Sequence, residues 1–276
     1  MAYALGGLAL GAGLLASYAA RVEPGRVEVV RLTLSLPRLP SSLDGLLLAQ
    51  ISDIHAGEAT GAEQIRRFVD MTNELHPDLI VITGDMFQYR LESARMSARE
   101  LAKLRAPLGV YALMGNHERR LPAQDGEQPF RQAGLTVLCN VAHEVRVDGA
   151  SLWLVGMDDV LKRRGNLALA LQGVPEDSCK VLLVHEPDVA DQAARFPIDL
   201  QLSGHTHGGQ VRLPGIGPLI LPILGRRYPM GLYRVGDTWV YTNRGLGMAR
   251  PAVRFNCRPE ITLFTLTSPR STYETA

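Results

Sequence analysis

LLLAQISDIH at residues 46–55 decides the fold class, because a mainly apolar run leads into Asp53 and His55. The same order returns in LIVITGD at 79–85 and in VYALMGNHE at 110–118. Short apolar runs that end at polar residues predict buried strands of an α/β sheet. Such sheets bind ligands in the crevice at the carboxyl ends of their strands. We therefore expect the polar residues at these strand ends to meet in one site.

The remaining pattern predicts α/β (α+β) architecture in one catalytic domain. Segments 61–75 and 91–104 are expected to be helices between the strands of the first half. A polar loop is expected around 122–126, and the second half is richer in short strands joined by tight turns. This mixture favours two stacked sheets flanked by helices. No linker follows residue 40, so we predict a single domain over 23–276.

Charge and cysteine content exclude several classes of protein. The chain has 276 residues and a formal net charge of +1, which gives no nucleic-acid footprint, so no nucleic acid is expected as a partner. Its three cysteines, an odd number without a C-x-x-C pair, predict neither a disulfide framework nor a zinc knuckle. Free thiols mildly favour a reducing compartment.

The first 20 residues, MAYALGGLALGAGLLASYAA, contain no charged side chain. A helix of that length spans roughly 30 Å, the thickness of a bilayer core, so residues 1–22 are predicted to be a transmembrane anchor. Arginines follow the segment, which favours a cytoplasmic catalytic domain. The alternative is a cleaved signal peptide and a secreted or cell-envelope protein, with Ser17-Tyr18-Ala19 at the cleavage site. No basic region precedes the apolar run, as a signal peptide requires.

Two more motifs complete a set of metal-ligand candidates. One residue, His185, follows an apolar run, and His205 and His207 lie in GHTH at 204–207. Nitrogen and oxygen donors without cysteine suit Mn²⁺, Fe²⁺ and Zn²⁺, and a carboxylate at a strand end could bridge two ions. Two such ions can clamp the oxygens of a phosphoryl transfer. The candidate ligands are Asp53, His55, Asp85, Asn116, His185, His205 and His207.

The motifs D-x-H, G-D, G-N-H-E, H and G-H-x-H, in this order over residues 53–207, resemble the calcineurin-like metallophosphoesterase superfamily. The resemblance implies a four-layer αββα sandwich with two divalent ions, manganese first and iron or zinc as alternatives. It implies that one ion is held by Asp53, His55, Asp85 and His207, and the other by Asp85, Asn116, His185 and His205. Asp85 would bridge, and His117 would be no ligand. It would contact the phosphate and assist the leaving oxygen.

One position departs from a branch of that superfamily. Purple acid phosphatases carry a tyrosine three residues after the bridging aspartate, where this chain has Gln88. The nearest tyrosine, Tyr89, comes one residue too late. A tyrosinate–iron site is therefore not expected.

The carboxyl-terminal part is similar to the YkuE/YaeI branch of the superfamily. The similarity rests on GHTHGGQ, on the proline-rich apolar loop VRLPGIGPLILPIL at 211–224, and on YTNRGLG at 241–247. That branch is bacterial, typically has an amino-terminal membrane segment, and includes UDP-2,3-diacylglucosamine hydrolases. The resemblance implies an inner-membrane location and a lipid-linked substrate.

Two features of this part leave alternatives open. The loop at 211–224 would either contact lipid or pack on the core. Seven arginines between residues 226 and 258, without a lysine, form either a solvated basic face or a phosphate-binding surface. Arg244, in a glycine-rich turn, is the best individual candidate for substrate contact.

These observations together predict a membrane-anchored dimetal phosphoesterase. Its substrate would be a phosphodiester or pyrophosphate of a lipid or lipid-linked nucleotide such as UDP-2,3-diacylglucosamine, attacked by a metal-bridging hydroxide. The alternatives are a general phosphodiesterase or nuclease of the same fold and a non-catalytic membrane scaffold. No protein partner is predicted.

Overall fold

Fourteen strands form the frame of the computed structural model, which describes residues 13–269. They are β1 (Glu28–Ser35), β2 (Leu46–Ile51), β3 (Leu79–Ile82), β4 (Val110–Ala112), β5 (Thr136–Val137), β6 (Val141–Val147), β7 (Ala150–Gly156), β8 (Cys179–Leu183), β9 (Leu200–Ser203), β10 (Arg212–Leu213), β11 (Gly217–Pro218), β12 (Gly231–Val235), β13 (Thr238–Thr242) and β14 (Glu260–Thr267).

Five α-helices and five 3₁₀ turns connect these strands. The helices are α1 (Ala62–Asn73), α2 (Leu91–Leu101), α3 (Ala123–Gln132), α4 (Leu167–Ala170) and α5 (Ala190–Ala193). The 3₁₀ turns are Glu23–Gly25, Ser41–Leu43, Glu118–Arg120, Pro187–Val189 and His207–Gly209. A further helical stretch covers residues 13–21.

The strands build two six-stranded mixed sheets. The first has the order β1-β14-β2-β3-β4-β5, and β2 to β5 run parallel to one another. The second has the order β12-β13-β9-β8-β7-β6, and β13, β9, β8 and β7 run parallel. The parallel strands of each sheet therefore point their carboxyl ends toward one edge, where the motif residues follow.

Three apolar clusters fix the order of the layers. One lies between the sheets and includes Leu48, Val81 and Leu202. A second joins the first sheet to α1, α2 and α3, and a third joins the second sheet to α4 and α5. The layers are thus helices, sheet, sheet and helices. The expected mixed α/β class is confirmed.

The prediction of a polar loop around residues 122–126 was wrong, because α3 begins at Ala123. Pro122 stands at the N-cap position, where its missing N–H costs nothing. The helix is held by the fully buried Phe130, which stacks on Phe87 with ring centroids 6.0 Å apart. Polar composition alone does not distinguish the first turn of an amphipathic helix from a loop.

The predicted transmembrane anchor has no support in the described part of the chain. Within residues 13–269, no helix is long and apolar enough to cross a membrane. Residues 1–12, more than half of the predicted anchor, lie outside the described residues, as do residues 270–276. The helical stretch 13–21 ends against the domain, since the Arg254 backbone N–H donates to the Ala19 carbonyl at 2.8 Å.

Candidate metal centre

The five motifs converge at the carboxyl ends of five strands from both sheets. In the first sheet, β2, β3 and β4 lead to Asp53, Asp85 and Asn116 respectively. In the second, β8 leads to His185 and β9 leads to His205. Because the sheets stack face to face, residues separated by more than 150 positions come within hydrogen-bonding distance.

Asp85 lies among three imidazoles. Its Oδ2 is 3.2 Å from His185 Nε2, 3.6 Å from His55 Nε2 and 3.9 Å from His117 Nε2. His55 and His117 come from the first sheet and His185 from the second, so imidazoles from both sheets surround this carboxylate. A ligand shared between two ions needs such an arrangement. This geometry suits the bridging position predicted for Asp85.

A second group gathers around Asp53. Its Oδ1 is 3.3 Å from His207 Nε2 and 4.0 Å from His185 Nε2, while His55 Nε2 lies 2.9 Å from His207 Nε2. The backbone N–H of His205 donates to Asp53 Oδ2 at 3.0 Å. Asp53, His55 and His207 can hold one ion together, and so can Asp53, Asp85 and His185.

The hydrogen bonds of the histidines leave lone pairs directed into the centre. His185 Nδ1 donates to the Thr83 carbonyl at 2.7 Å, so its Nε2 carries a lone pair and has no hydrogen-bond partner among the described residues. The amide oxygen of Asn116 is likewise buried without a partner there. His205 Nε2 donates to the Ile223 carbonyl at 2.9 Å, which leaves Nδ1 free to ligate. Unpaired buried lone pairs of this kind fit a divalent metal ion.

Burial and mutual charge shift the ionisation of the cluster. Burial raises the pKa of Asp53 to about 6 and lowers the pKa values of His55 and His205 to about 3 and about 4. Burial opposes charge on Asp85 as well, but His185 and His117 hold the pKa of Asp85 well below its usual range. Asp85 in turn raises the pKa of His185 against the effect of burial. The lowered pKa values of His55 and His205 keep these two imidazoles neutral, the state in which histidine binds a divalent ion. Such an ion would have to displace a proton from His185.

Five of the seven candidate ligands have a left-handed backbone. The φ angles are 50° at Asp53, 48° at His55, 52° at Asp85, 71° at His205 and 51° at His207. Each such conformation costs on the order of 1–3 kcal/mol in a non-glycine residue, and it persists only where the surroundings impose it. The turns direct each side chain from its strand end into the shared cavity.

Glycines before the ligands allow the loops that carry the ligands to pack closely together. A Cβ on Gly115 would lie 2.3 Å from Asp85 Oδ1, and a Cβ on Gly204 would lie 2.3 Å from Asp53 Oδ2. Any side chain at either position would displace a candidate metal ligand. The glycines of the G-N-H-E and G-H-x-H motifs are therefore required by packing at the centre.

Glu118 is a supporting residue whose function the sequence pattern did not reveal. Its buried carboxylate accepts backbone N–H bonds from Gly115 at 2.7 Å, Asp85 at 3.0 Å and Phe87 at 3.1 Å. These bonds tie the loop after β4 to the loop after β3. Burial raises the pKa of Glu118 to about 8. Its fixed place beside His117 in G-N-H-E was the only signal available.

Arg254 is a second supporting residue that the sequence pattern did not reveal. It is not part of a solvated basic face, which was one of the two alternatives for its segment. It is fully buried and donates to the carbonyls of Arg244, Gly245 and Gly247 at 2.6–2.9 Å. The loop that it holds packs on the centre, because the Gly247 N–H donates to the Asp53 carbonyl at 2.7 Å. No pattern separated this arginine from its six neighbours.

Arg244 engages two carboxylates rather than the space above the centre. Its Nε pairs with Glu260, and its Nη2 lies 3.0 Å from Glu28 Oε2. These contacts join the glycine-rich turn to β14 and β1. The charge of Arg244 is thus largely neutralised within the fold, and its predicted contact with substrate stays a prediction.

The residues after Asp85 face the mouth of the site. Gln88 donates to the Met248 carbonyl at 3.1 Å, so the position of a tyrosinate ligand is occupied by a structural amide. Tyr89 stacks on His117, with ring centroids 4.7 Å apart and an interplanar angle of 21°. The absence of a tyrosine ligand stays a prediction.

An apolar groove of about 370 Å³ opens beside the centre. Its lining includes His205, His207, Val211, Leu219, Ile220, Pro222 and Pro251. The proline-rich loop 211–224 folds as the short hairpin β10–β11 and its flanks, not as a segment packed into the core. Four of its side chains are largely exposed: Ile216 at 73%, Leu219 at 55%, Ile220 at 78% and Ile223 at 67%.

The chain belongs to the calcineurin-like phosphoesterase family, which matches residues 46–209. It is therefore a metal-dependent phosphoesterase, and the expected superfamily is confirmed.

Its relatives support the expected branch. The chain is 37% identical to the metallophosphoesterase YkuE of Bacillus subtilis over 97% of this chain and 94% of that protein. It is 30% identical to the phosphodiesterase YaeI of Escherichia coli over 88% and 90%. It is 26% identical to the UDP-2,3-diacylglucosamine pyrophosphatase LpxG of Chlamydia muridarum, again over 88% and 90%. Among solved structures, sulfate thiohydrolase SoxB of Thermus thermophilus shares the fold at 15% identity and a TM-score of 0.50, over 81% of this chain and 57% of that one.

Proposed function

We propose that this protein is a dimetal phosphoesterase that hydrolyses a phosphodiester or pyrophosphate bond in a lipid or lipid-linked nucleotide. The observation that carries the proposal is that an apolar groove adjoins the polar metal centre. The groove of exposed aliphatic side chains is lined by His205 and His207, which are also candidate metal ligands. A substrate with a phosphate and an acyl chain would satisfy both.

In the proposed division of the ligands, one ion is held by Asp53, His55, Asp85 and His207. The other is held by Asp85, Asn116, His185 and His205. Such a pair of ions supplies charge neutralisation at the phosphoryl oxygens and activates water near neutral pH. We favour manganese, with iron or zinc as alternatives, because the donors are nitrogen and oxygen.

His117 is proposed to act on the leaving oxygen. Its Nε2 is 3.9 Å from Asp85 Oδ2, and its ring meets that of His55 edge to face at a centroid distance of 4.5 Å. Its backbone N–H donates to Asp85 Oδ1 at 3.0 Å, which fixes the residue relative to the proposed bridge. From this place an imidazole can hand a proton to an oxygen that departs from phosphorus.

Three observations support a lipid as the class of substrate. The relative LpxG is named for a pyrophosphate of a diacylated sugar nucleotide. Large exposed aliphatic clusters on a soluble surface usually mark a binding site for lipid or protein. The exposed Arg226 follows the loop, and anionic head groups attract such side chains.

Backbone hydrogen bonds link the amino-terminal segment to the apolar loop through residues 254 and 255. Ala19 is hydrogen-bonded to Arg254, the next residue Phe255 donates to the Gln210 carbonyl at 2.9 Å, and Val211 then begins the loop. We propose that residues 1–22 anchor the protein in a bacterial inner membrane and that 23–276 form a cytoplasmic catalytic domain. The anchor would hold the groove against the lipid surface. Cleavage of the segment and release into the cell envelope is the alternative.

The test is turnover of a matched pair of substrates by the full-length protein in detergent with Mn²⁺. UDP-2,3-diacylglucosamine and UDP-N-acetylglucosamine share the pyrophosphate and differ mainly in acyl chains. We expect the acylated substrate to have the higher kcat/KM, by at least tenfold, since each buried methylene contributes about 0.8 kcal/mol. Equal kcat/KM values would remove the lipid part of the proposal.

The same preparation tests the alternatives. A non-catalytic scaffold would bind metal or liposomes and turn over neither substrate. A general phosphodiesterase or nuclease would prefer a small diester or a single-stranded oligonucleotide to both sugar nucleotides. A fusion reporter after residue 276 would report the side of the membrane on which the domain resides.

A further inference from the structure

Two neighbouring arginines after His117 have opposite surroundings. Arg119 is buried and paired twice, with Asp158 Oδ1 at 2.6 Å and with Glu127 Oε1 at 2.7 Å. Arg120 is exposed, and no carboxylate among residues 13–269 lies within ion-pair distance of it. Its guanidinium carbon instead lies 4.4 Å from the centre of the Tyr89 ring. The charge of Arg119 is used by the fold, whereas the charge of Arg120 is available to a ligand.

Tyr89 connects this free guanidinium to the proposed leaving-group residue. Its ring is stacked on His117 and contacts Arg120, and the residue is 43% exposed at the mouth of a separate cavity of about 560 Å³. An arginine that stacks on an aromatic ring keeps its N–H groups in the plane of the guanidinium, where they can still donate to two oxygens of one phosphate. The Tyr89 ring therefore links the guanidinium of Arg120 to the imidazole of His117, since both pack against it.

We infer that Arg120, positioned by Tyr89, binds the anionic phosphate that departs when a pyrophosphate is cleaved. The inference rests on the proposed function and specifies it: the site would favour pyrophosphates over diesters whose leaving group is an alcohol or phenol. An alkoxide needs a proton as it leaves, which His117 can supply. A departing phosphate is a weak base that needs charge neutralisation instead, and a permanently charged guanidinium provides it.

The step balances without any further reactant. The oxygen of water bonds to the phosphorus on the side opposite the leaving group, and the bridging P–O bond breaks. Its electron pair stays on the departing phosphate monoester, whose negative oxygens are bound by Arg120. The protons of the water pass to solvent and to the phosphate products.

The experiment compares two adenylyl substrates that differ in the leaving group. Diadenosine pyrophosphate releases AMP, and adenosine 5′-(4-nitrophenyl) phosphate releases nitrophenol. In Arg120→Ala we expect kcat/KM for the pyrophosphate to fall about 10- to 100-fold, the effect of lost charge-assisted hydrogen bonds, and kcat/KM for the nitrophenyl ester to fall less than threefold. Tyr89→Ala should give a smaller loss of the same selectivity. Arg99→Ala, an exposed arginine on α2, is the matched control.

Binding of AMP to the metal-loaded protein, measured by calorimetry, gives a readout without turnover. The dissociation constant should rise about tenfold or more in Arg120→Ala and stay unchanged in Arg99→Ala. Equal losses on both substrates, or unchanged AMP affinity, would overturn the inference and leave the arginine as a support for the ring stack. If the wild-type protein binds two metals and cleaves neither these substrates nor UDP-2,3-diacylglucosamine, the proposed function fails, and AMP binding alone decides whether Arg120 forms an anion site.

Discussion

The metal centre and the apolar loop 211–224 are adjacent, and each reverses the usual distribution of side chains. At the centre, carboxylates and imidazoles are buried, and several imidazole nitrogens and the Asn116 amide oxygen have no hydrogen-bond partner among residues 13–269. On the loop, four large aliphatic side chains face solvent. Buried polar groups without partners and exposed aliphatic groups are both unfavourable, so each region is best explained by a ligand absent from the polypeptide itself.

The metal centre and the apolar loop are suited to ligands of different chemistry. The centre is rigid, with left-handed turns and tight glycine contacts that leave room for ions. The loop is held by its ends, through hydrogen bonds from Leu219 to Val211 and from His205 to Ile223, while its aliphatic tips make the surface of the groove. The first region should determine whether the bond is cleaved, and the second should determine which molecule is cleaved.

The largest effect is expected from Asp85→Ala. This carboxylate lies between the imidazoles of both proposed ion sites, so its loss should release both ions and reduce turnover by on the order of 10⁴-fold or more. His207→Ala should weaken mainly one ion. Elemental analysis checks both variants, and two ions retained in Asp85→Ala would contradict the bridging assignment.

His117→Ala should keep both ions and lose activity by about 10²- to 10⁴-fold on substrates with alkoxide leaving groups. The loss should be smaller for nitrophenyl esters, which need no proton. Kinetics on the two classes, with metal analysis of the same samples, give the measurement. Loss of an ion would make His117 a ligand instead, because its Nε2 also lies near Asp85 Oδ2.

Replacing Leu219, Ile220 and Ile223 together with Ser should act only on the loop. The three side chains are exposed, so the melting temperature should change little, whereas liposome binding should fall by about 10²-fold or more, at roughly 1.5–3 kcal/mol per large aliphatic group. Activity on a small soluble diester should persist.

Flotation with anionic liposomes would measure the effect, with Leu169→Ser on α4 as the control because that leucine is also exposed. A protein that begins at Gly13 suits this assay, because it keeps the contacts of Ala19 and the buried Glu23 with residues 254–257. Unfolding of the triple variant would show that the loop belongs to the core.

The smallest effect is expected for the dependence of metal affinity on pH. Protons compete with metal for Asp53, whose pKa is raised to about 6 by burial, and for His185, whose pKa Asp85 raises. Affinity should therefore increase with pH, by about tenfold per pH unit for each proton displaced, and flatten above the highest of these pKa values. Calorimetry in buffers of different ionisation enthalpy counts the released protons. Affinity that is independent of pH between 5 and 7 would contradict this ionisation pattern.

The sequence by itself determined the motifs, the strands that carry them and the family. The apolar runs before Asp53 and Asp85 correspond to β2 and β3, because a strand buried on both faces is mainly apolar. The ends of β2, β3, β4 and β8 could be recognised for the same reason, since the motif after each of them follows such a run.

Only the tertiary structure decided which charges are used by the fold and which remain free. Arg244, Arg254, Arg119 and Arg120 are the same residue type, yet their surroundings range from full burial to an exposed ring stack. The partners that decide this lie far away in the chain, as Glu28 does for Arg244, so no local pattern encodes them. Burial and ionisation depend on distances in space, and only the packed fold brings those distances about.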